Sequence, residues 1–530
     1  MSGVEAQSPI QPFSLASCLS IDGQIRRWAQ AEPDKEFLSW FEGEPSELLL
    51  SRLTWREFAL ALDATVAFLI RHGIERGQTV CLHGENSPEA ALLLAACSTL
   101  RCRFVPTNWR LTPTELGYIL RDSDARLVIA GERQLDVANA TAGVLVLPQA
   151  DLRSHWQEWL ATRDTVNAAG VSTADLSDRV ILYTSGTTSS PKGVRISETA
   201  LLHAGYHISG FTGVSNADRS LAVLPMCHVN GLCYNLMVAV AIGASVCVVN
   251  RFSSSSYWRQ AACAGATISW MAATPMRMIL ARPESPADRE HPMRMVIYGQ
   301  NLTDEGFTTW RRRFGTDLMQ IYGSTETVTL PINNHTTAVT RPDTTIGVPS
   351  PGVLARLSAD ADTAPDGSRI GELELKLTPG HHMMTGYLNQ DAATAARFSS
   401  DGWFMTGDTM ELRPDGLLYF VDRNGDIIKV KGENVSASEV EHALEKRPEI
   451  AEAAVVGVPD EMTDHAIRAY VVARDTALDV ERLRCALTEV LADFKIPAQF
   501  VCVDSLPRTN TGKVQKALLV EGARETHPWR

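Results

Sequence analysis

A loop rich in hydroxyl groups, with a single lysine, is the first stretch of this sequence that could do chemistry. Residues 183–193 read YTSGTTSSPKG and follow the apolar run RVILY. Hydroxyl and backbone N–H groups can wrap a polyphosphate, and Lys192 would add a positive charge. The order Pro191-Lys192-Gly193 differs from a Walker P-loop, which ends Gly-Lys-Ser/Thr. A surface turn is the alternative, since Ser, Thr, Gly and Pro are common turn residues, but a turn rarely collects so many hydroxyls after a buried strand.

Further segments place carboxylates, an arginine and lysines along the chain. They are YGSTET at 322–327, TGD at 406–408, VDRNGDIIKVKGENVSASEVE at 421–441 and LPRTNTGKVQK at 506–516. Glu326 could be a helix-start charge, but a polyphosphate site needs a hard oxygen ligand for Mg²⁺, and this carboxylate is the best placed. A lone aspartate is most often a cap, whereas Asp408 lies between apolar runs in WFMTGDTMEL, which favours a held carboxylate.

Together these five segments resemble those of the adenylate-forming superfamily, which includes acyl-CoA synthetases, luciferases and the adenylation domains of peptide synthetases. The resemblance runs in the family's order from Tyr183 to Lys516. Two positions depart from the family pattern. Ser189 stands where glycine is usual in the loop, and Gly425 stands where the family hinge has Asp or Lys.

The resemblance implies a role for each matching residue. Tyr322 would lie against adenine, Thr325 would contact phosphate, Glu326 would hold Mg²⁺, and Asp408 and Arg423 would face the ribose. The full set expected to bind ATP is Thr184, Ser185, Gly186, Thr187, Thr188, Lys192, Gly299, Gln300, Asn301, Tyr322, Gly323, Ser324, Thr325, Asp408, Phe420 and Arg423. The expected catalytic residues are Lys513, Lys429, His228 and Glu326. The acid pocket is expected to be formed by His228, Cys233, Tyr234, Tyr298, Gly323 and Val328.

Some of these residues also have plainer interpretations. Arg423 beside Asp422 could form a surface ion pair of little value, although its place in the motif favours the site. Lys431 is expected to be solvated. A histidine after a buried strand is often a hydrogen-bonded core residue, but LPMCHVNG resembles the family's PLFH-x-x-G segment, and this favours a functional His228.

The activity implied by the resemblance is ATP-dependent formation of an acyl-adenylate from a carboxylic acid, with release of pyrophosphate. GENVSASEVE and CHVNG resemble bacterial acyl-CoA ligases of the carnitine and fatty-acid type, so coenzyme A is the expected acceptor. An amine or the thiol of a carrier protein remains an alternative acceptor. An inactive binding protein is the alternative from another class. The mostly apolar pocket favours an aliphatic, alicyclic or aromatic acid.

Composition excludes several classes of protein. The 530 residues carry a net charge of −13, which argues against nucleic-acid binding. The N-terminal residues do not show the basic start and apolar run of a signal peptide, so none is predicted. The apolar runs are too short or too broken to predict a membrane span. Ten cysteines without a CxxC pair are typical of buried thiols in a cytoplasmic protein.

Alternating helix and strand signals predict an α/β fold. Thr54 with Glu57 predicts a capped helix over FALALDATVAFLI, and the loop at 183–193 is predicted to join RVILY to a helix over SETALLHAGYHI. After about residue 350, Asp366-Gly367 and Asp415-Gly416 predict hairpins. We therefore expect a large N-terminal domain of layered α/β sheets with a small β-rich subdomain (1–424). A small, mobile C-terminal α+β domain (425–530) would rotate about a hinge near Gly425.

Overall fold

A computed structural model describes most of the chain. The described residues are 19–44, 48–141, 143–163, 173–184, 191–299, 302, 304–334, 342–359, 361–423, 427–460, 462, 464–474, 478–507, 514 and 516–521. They form two compact units. The first takes in the described parts of Met1–Trp109, Leu120–Leu182 and Gly193–Arg423, and the second those of Arg110–Ile119, Tyr183–Lys192 and Asn424–Arg530. The predicted boundary at 424/425 and the hinge residue Gly425 lie outside the described residues.

The helices are distributed along the whole chain. They are α1 (Ile21–Ala31), α2 (Trp55–Arg71), α3 (Pro88–Leu100), α4 (Pro113–Asp122), α5 (Leu135–Asn139), α6 (Gln149–Thr162), α7 (Glu198–Thr212), α8 (Val238–Ile242), α9 (Tyr257–Ala264), α10 (Ala273–Leu280), α11 (Asp304–Phe314), α12 (Asp391–Ala395), α13 (Ala437–Glu445), α14 (Val480–Thr488) and α15 (Lys516–Glu521). A π-helical segment, Asn230–Met237, directly precedes α8.

The strands alternate with these helices. They are β1 (Glu36–Glu42), β2 (Leu49–Thr54), β3 (Thr79–His83), β4 (Arg103–Thr107), β5 (Ala125–Ala130), β6 (Leu145–Pro148), β7 (Asp178–Thr184), β8 (Lys192–Ser197), β9 (Arg219–Ala222), β10 (Ser245–Val248), β11 (Ile268–Ala272), β12 (Met295–Gly299), β13 (Asp317–Tyr322), β14 (Ile332–Asn333), β15 (Val348–Pro349), β16 (Leu354–Leu357), β17 (Asp362–Thr363), β18 (Arg369–Lys376), β19 (Gly386–Tyr387), β20 (Phe404–Leu412), β21 (Leu418–Arg423), β22 (Ile427–Val430), β23 (Glu433–Ser436), β24 (Ile450–Asp460), β25 (Asp464–Ala473) and β26 (Gln499–Cys502).

Two largely parallel sheets carry the predicted α/β layers. One has the strand order β19-β8-β7-β4-β3-β5-β6 and the other β15-β14-β13-β12-β11-β9-β10-β1-β2. Their central strands are mostly apolar and are buried along their length, as β3 and β10 illustrate, which is typical of parallel strands covered on both faces. In the second sheet, the carboxyl ends of β9, β11, β12 and β13 meet at one edge, where ligands commonly bind in α/β folds.

The remaining two sheets are mostly antiparallel. The β-rich subdomain has the order β16-β18-β20-β21, with β17 paired to β18. In the second unit the order is β23-β22-β25-β24, with β26 added in parallel to β25. That unit also encloses the ammonium of Lys495, whose Nζ lies 2.7 Å from Oε1 of Glu115 and 2.8 Å from Oε1 of Glu439.

Much of the predicted local structure is confirmed. Thr54 and Glu57 cap α2 reciprocally, with the Thr54 N–H donating to Oε2 of Glu57 at 2.8 Å and the Glu57 N–H to Oγ1 of Thr54 at 3.2 Å. The Asp415-Gly416 turn joins β20 to β21, and the α/β fold class with a β-rich subdomain is confirmed. Among the described cysteines, the thiols of Cys97 and Cys247 are free and buried.

One prediction about the 183–193 loop was wrong. A strand, β8, lies between that loop and α7, so the loop joins two strands and not a strand to a helix. The segment KGVRIS alternates its apolar side chains, and Val194 pairs with Tyr387 of β19. α7 begins only after Ser197, whose Oγ accepts from the Ala200 N–H at 3.0 Å.

Candidate active site

The hydroxyl of Tyr322 and the carboxylate of Asp408 meet in the interior of the first unit. Tyr322 is the last residue of β13, and Asp408 lies in β20, 86 residues further along the chain. Tyr322 Oη donates to Oδ2 of Asp408 at 2.6 Å, and both residues are buried, at 8% and 4% exposure. A short bond between buried groups fixes the position of the carboxylate and the tilt of the ring.

Backbone contacts hold the strand around Asp408. The Asp408 N–H donates to Oγ1 of Thr406 at 3.1 Å, and the Gly407 N–H donates to Oε1 of Glu372 at 2.7 Å. Gly407 has a φ of 77°, a conformation that favours glycine. Arg423 lies directly opposite Asp408 in the β20–β21 ladder, so the two motifs share one pair of strands.

A second tyrosine fixes a second buried carboxylate. Tyr387 Oη donates to Oε1 of Glu326 at 2.9 Å, and Glu326 is 7% exposed. The Glu326 carbonyl accepts from the Met384 N–H at 2.9 Å. The pKa of Tyr387 is raised by burial and then by the nearby Glu326 charge, which keeps its hydroxyl protonated and able to donate.

The turn that carries Glu326 is closed by its own hydroxyl groups. The Ser324 N–H donates to Oγ1 of Thr327 at 2.9 Å, and this same hydroxyl lies 3.0 Å from the carbonyl oxygens of both Ser324 and Thr329. Gly323 precedes the turn in a place with no room for a side chain. A Cβ there would lie 2.9 Å from Oη of Tyr234 and 3.0 Å from the Thr329 carbonyl oxygen.

His228 begins the segment that leads into the π-helical turn. It follows β9 and is half-buried, and its N–H donates to the Pro225 carbonyl at 3.1 Å. The side chain of Asn86 holds this segment, because its Nδ2 donates to the Leu224 carbonyl at 3.0 Å and its Oδ1 accepts from the Met226 N–H at 2.8 Å.

Tyr234, on the π-helical segment, is buried behind Gly323. Its hydroxyl has no hydrogen-bond partner among the described residues. Burial raises the pKa of Tyr234, and the neighbouring Cys233 and Glu326 raise it further. Its ring centroid lies 5.8 Å from that of Trp270, whose Nε1 is also buried without a described partner. Burial likewise raises the pKa of the Cys233 thiol.

Tyr298 lies in a different apolar cluster from Tyr234. It packs against Phe307 with ring centroids 5.6 Å apart, and its hydroxyl donates to the Asp343 carbonyl at 3.0 Å. This position in the core accounts for its burial without requiring a bound acid.

The other predicted site residues lie on several elements. Gly299 ends β12, Thr184 ends β7 and Lys192 begins β8. Phe420 is 38% exposed on β21, and Lys429 is half-buried on β22, opposite Asn434 in β23. The predicted site residues Ser185, Gly186, Thr187, Thr188, Gln300, Asn301 and Lys513, with the departure at Ser189, lie outside the described residues.

Comparison with known proteins identifies the family to which this chain belongs. Residues 25–388 match the AMP-binding enzyme family, and residues 439–513 match the C-terminal domain of AMP-binding enzymes. The chain belongs to the AMP-binding enzyme family. It is an adenylate-forming ligase, as the motif resemblance implied.

Proteins similar to this AMP-binding enzyme include coenzyme A ligases and, by fold alone, an amide bond synthetase. It is 32% identical over 492 residues to a crotonobetaine/carnitine–CoA ligase of Escherichia coli O157:H7, a match that covers 89% of this chain and 93% of the relative. A malonyl-CoA ligase structure with methylmalonyl-CoA and AMP bound is 29% identical, with a TM-score of 0.75, covering 90% of this chain and 97% of the other. The amide bond synthetase McbA from Marinactinospora thermotolerans, at 24% identity and a TM-score of 0.80, shares the fold over 95% of this chain and 99% of its own.

Besides the bond between Tyr322 and Asp408, two further contacts of this AMP-binding enzyme were not foreseen from its sequence. Tyr387 binds Glu326 across 61 residues, and Asn86 reaches Leu224 across 138. No spacing in the sequence links either pair. The available signals were weak. Tyr387 follows a glycine in GYLNQ, and Asn86 lies shortly after the buried strand β3.

Proposed function

We propose that this protein joins a carboxylic acid to the α-phosphate of ATP and then passes the acyl group to the thiol of coenzyme A. The observation that carries the proposal is the pair of buried carboxylates, Asp408 and Glu326, each held by a tyrosine hydroxyl at 2.6 and 2.9 Å. Both lie on motifs that the family uses for the nucleotide. Fixed acceptors of this kind suit a ribose and a hydrated cation.

Adenylation gives the carboxylic acid a good leaving group. A thiol or amine cannot displace oxide from a carboxylate, whereas AMP leaves readily from an acyl-adenylate. Negative charge accumulates at the α-phosphate as the acid attacks, and positive charges aimed there stabilise the transition state selectively. Lys192 and Lys513 are the residues proposed to supply that charge. A charge pair at about 4 Å and an effective dielectric near 20 is worth roughly 4 kcal/mol.

The residues present fit a Mg²⁺ ion bound together with ATP. Within the described part of the chain, no group of three or more His, Cys, Asp or Glu side chains could hold a metal ion. Mg²⁺ needs no such cage, because it is commonly bound by one or two carboxylates with phosphate oxygens and waters. Glu326 would be its protein ligand, and the ion would neutralise phosphate charge. Tyr387 would hold that carboxylate in place.

The two half-reactions are proposed to use two positions of a C-terminal domain, residues 425–530. Lys513 would act during adenylation. Lys429 would face the site during acyl transfer, after rotation about Gly425. Glycine allows the large dihedral change that such a hinge requires.

Coenzyme A is the preferred acceptor because the matched ligases in the sequence comparison are named for it. An amine is the second candidate, since an amide bond synthetase has the same fold. The acid is proposed to be aliphatic, alicyclic or aromatic, because the predicted pocket residues Cys233, Tyr234 and Val328 are all buried and none carries a positive charge. The described residues include no helix long and apolar enough to cross a membrane, and we propose a cytoplasmic location.

Product analysis tests the acceptor. The purified protein is incubated with ATP, Mg²⁺ and a panel of acids, and receives coenzyme A or a panel of amines in separate reactions. We expect acyl-CoA, identified by mass spectrometry, together with stoichiometric AMP. Amide formation with no acyl-CoA would assign the second candidate. The Glu326→Gln protein is the control for contaminating activities, because it should form neither product.

A further inference from the structure

The imidazole of His207 connects α7 to the end of the turn that carries Glu326. Its Nδ1 lies 2.8 Å from Oγ1 of Thr329, and its Nε2 lies 2.9 Å from the Pro351 carbonyl oxygen. A carbonyl can only accept, so Nε2 carries the proton and donates to Pro351. Thr329 and Pro351 therefore approach the ring from different loops, and the ring joins them.

The direction of the other bond follows from the charge of the ring. Burial, with a smaller contribution from the nearby His382, lowers the pKa of His207 to about 4, although the hydrogen bond to the Pro351 carbonyl opposes this shift. A neutral ring with its proton on Nε2 leaves Nδ1 as an acceptor, so the Thr329 hydroxyl donates to it. The His203 ring stacks on His207 at 5.3 Å and 15°, which restricts the orientation of the imidazole.

The residue before Thr329 needs such support. Val328 has a φ of 57° and is fully buried. This left-handed conformation is unfavourable for a β-branched residue and persists only where its neighbours enforce it. The neighbours here are the Thr327 hydroxyl, 3.0 Å from the Thr329 carbonyl oxygen, and the His207 ring on the Thr329 side chain.

We propose that His207 is a positioning residue for adenylation. Through Thr329 it holds Val328 in the left-handed conformation and so fixes the turn that presents Thr325 and Glu326 to the phosphates of ATP. This inference rests on the proposed function, because it takes that turn to be the phosphate-facing part of the site.

Matched substitutions at Thr329 test this role. Thr329→Val keeps the shape of the side chain and removes the hydroxyl, whereas Thr329→Ser keeps the hydroxyl. We expect Thr329→Val to lower kcat of acid-dependent pyrophosphate exchange about tenfold, the effect of losing one hydrogen bond. The KM for the acid should change less than threefold. Thr329→Ser should keep at least half of the wild-type kcat. The affinity for ATP with Mg²⁺, measured by calorimetry without acid, should fall in Thr329→Val and not in Thr329→Ser.

A double-mutant cycle shows whether His207 acts through this hydroxyl. His207→Gln places an amide near Nε2 and leaves nothing in the place of Nδ1. The His207→Gln/Thr329→Val protein should be no slower than either single variant, because all three lack the same bond. Multiplicative losses would overturn the proposal. So would a Thr329→Val protein with a lowered Tm but wild-type kcat and ATP affinity, which would indicate a purely structural bond.

Failure of the proposed function would look different. If none of the acids tested supports pyrophosphate exchange by the wild-type protein, the proposed activity is wrong. The calorimetric comparison of Thr329→Val with Thr329→Ser then still decides whether His207 and Thr329 order an ATP-binding turn, and equal affinities would overturn the inference on its own.

Discussion

The side chains of Tyr322 and Asp408 form a 2.6 Å hydrogen bond that joins the end of β13 to the middle of β20. This bond links the sheet that contains β13 to the β-rich subdomain. The two ends of the bond lie on separate sequence motifs, and we propose that one contacts the base of ATP and the other its ribose. A single contact therefore aligns both parts of the proposed ATP site.

Removing this hydroxyl should weaken ATP binding. Tyr322→Phe keeps the ring for stacking but removes the hydrogen bond from the Tyr322 hydroxyl to the Asp408 carboxylate. A hydrogen bond to a charged group is worth about 1.5–3 kcal/mol, so we expect the KM for ATP to rise at least about tenfold. Steady-state kinetics at saturating acid measure it. Tyr419→Phe, on the neighbouring strand β21, is the control and should keep its KM within twofold. An unchanged KM in Tyr322→Phe would show that ATP binding does not depend on the bond between Tyr322 and Asp408.

Acid should destabilise the fold through the histidines around α7. Burial lowers the pKa of His203 to about 3, with His207, His382 and His381 adding to the effect, and burial lowers that of His207 to about 4. Both values lie below the unfolded value of 6.5. The unfolded chain therefore binds more protons below pH 6.5, and the free energy of unfolding falls as the pH falls.

Urea unfolding between pH 7 and pH 5 measures this loss. Each imidazole should contribute up to about 1.4 kcal/mol per pH unit. His203→Phe removes one titrating group, so its stability should fall less steeply with acid than that of the wild type. The exposed His442→Phe serves as the control and should leave the slope unchanged. Equal slopes in the wild type and His203→Phe would mean that His203 binds protons equally in the native and unfolded states, which would contradict the lowered pKa.

The hydroxyl of Tyr234, which has no hydrogen-bond partner in the described part of the chain, offers a test of its cost. A buried polar group without a hydrogen bond costs about 1–3 kcal/mol. Tyr234→Phe should therefore raise the free energy of unfolding by roughly 1 kcal/mol, measured by urea unfolding without ligands. Tyr470→Phe is the matched control, because its hydroxyl donates to the Leu519 carbonyl at 2.8 Å and its loss should destabilise. A destabilised Tyr234→Phe protein would reveal a partner for that hydroxyl.

The sequence predicted local structure best where local chemistry decides it. The capping box at Thr54 and the Asp415-Gly416 turn depend on residues a few positions apart, and both formed as expected. β8 pairs with β7, the strand directly before it, and with β19, where Arg195 lies opposite Gly386 across 191 residues. The alternation in KGVRIS was the local signal for β8, but its pairing with β19 leaves no signal in the nearby sequence.

The motifs predicted the residues of the candidate site, but they did not predict the contacts that hold those residues in place. Asp408 and Glu326 could be selected because each lies in a recognisable segment. Their partners Tyr322 and Tyr387, and the bridge from His207 to Thr329, depend on contacts across 86, 61 and 122 residues. Such pairs are set by tertiary packing, which spacing along one sequence does not encode.

The proposed roles of Lys513 and Lys429 predict opposite defects. Lys513→Ala should slow adenylation by about two to three decades, given the roughly 4 kcal/mol that one well-placed charge supplies. It should still consume a chemically supplied acyl-adenylate. Lys429→Ala should adenylate normally and transfer the acyl group slowly. Single-turnover measurements of each half-reaction separate the two, and Lys431→Ala is the control that should affect neither. Loss of the same half-reaction in both variants would rule out two working positions of the C-terminal domain.

Acid-dependent exchange of labelled pyrophosphate into ATP tests the central claim most directly, because only reversible formation of an acyl-adenylate produces it. We expect exchange with at least one acid of an aliphatic, alicyclic and aromatic panel, dependent on Mg²⁺, with AMP as the nucleotide product when acceptor is added. Glu326→Gln should reduce it by at least two orders of magnitude, since it removes the proposed Mg²⁺ ligand. Formation of ADP and phosphate, or exchange that survives Glu326→Gln unchanged, would contradict the account.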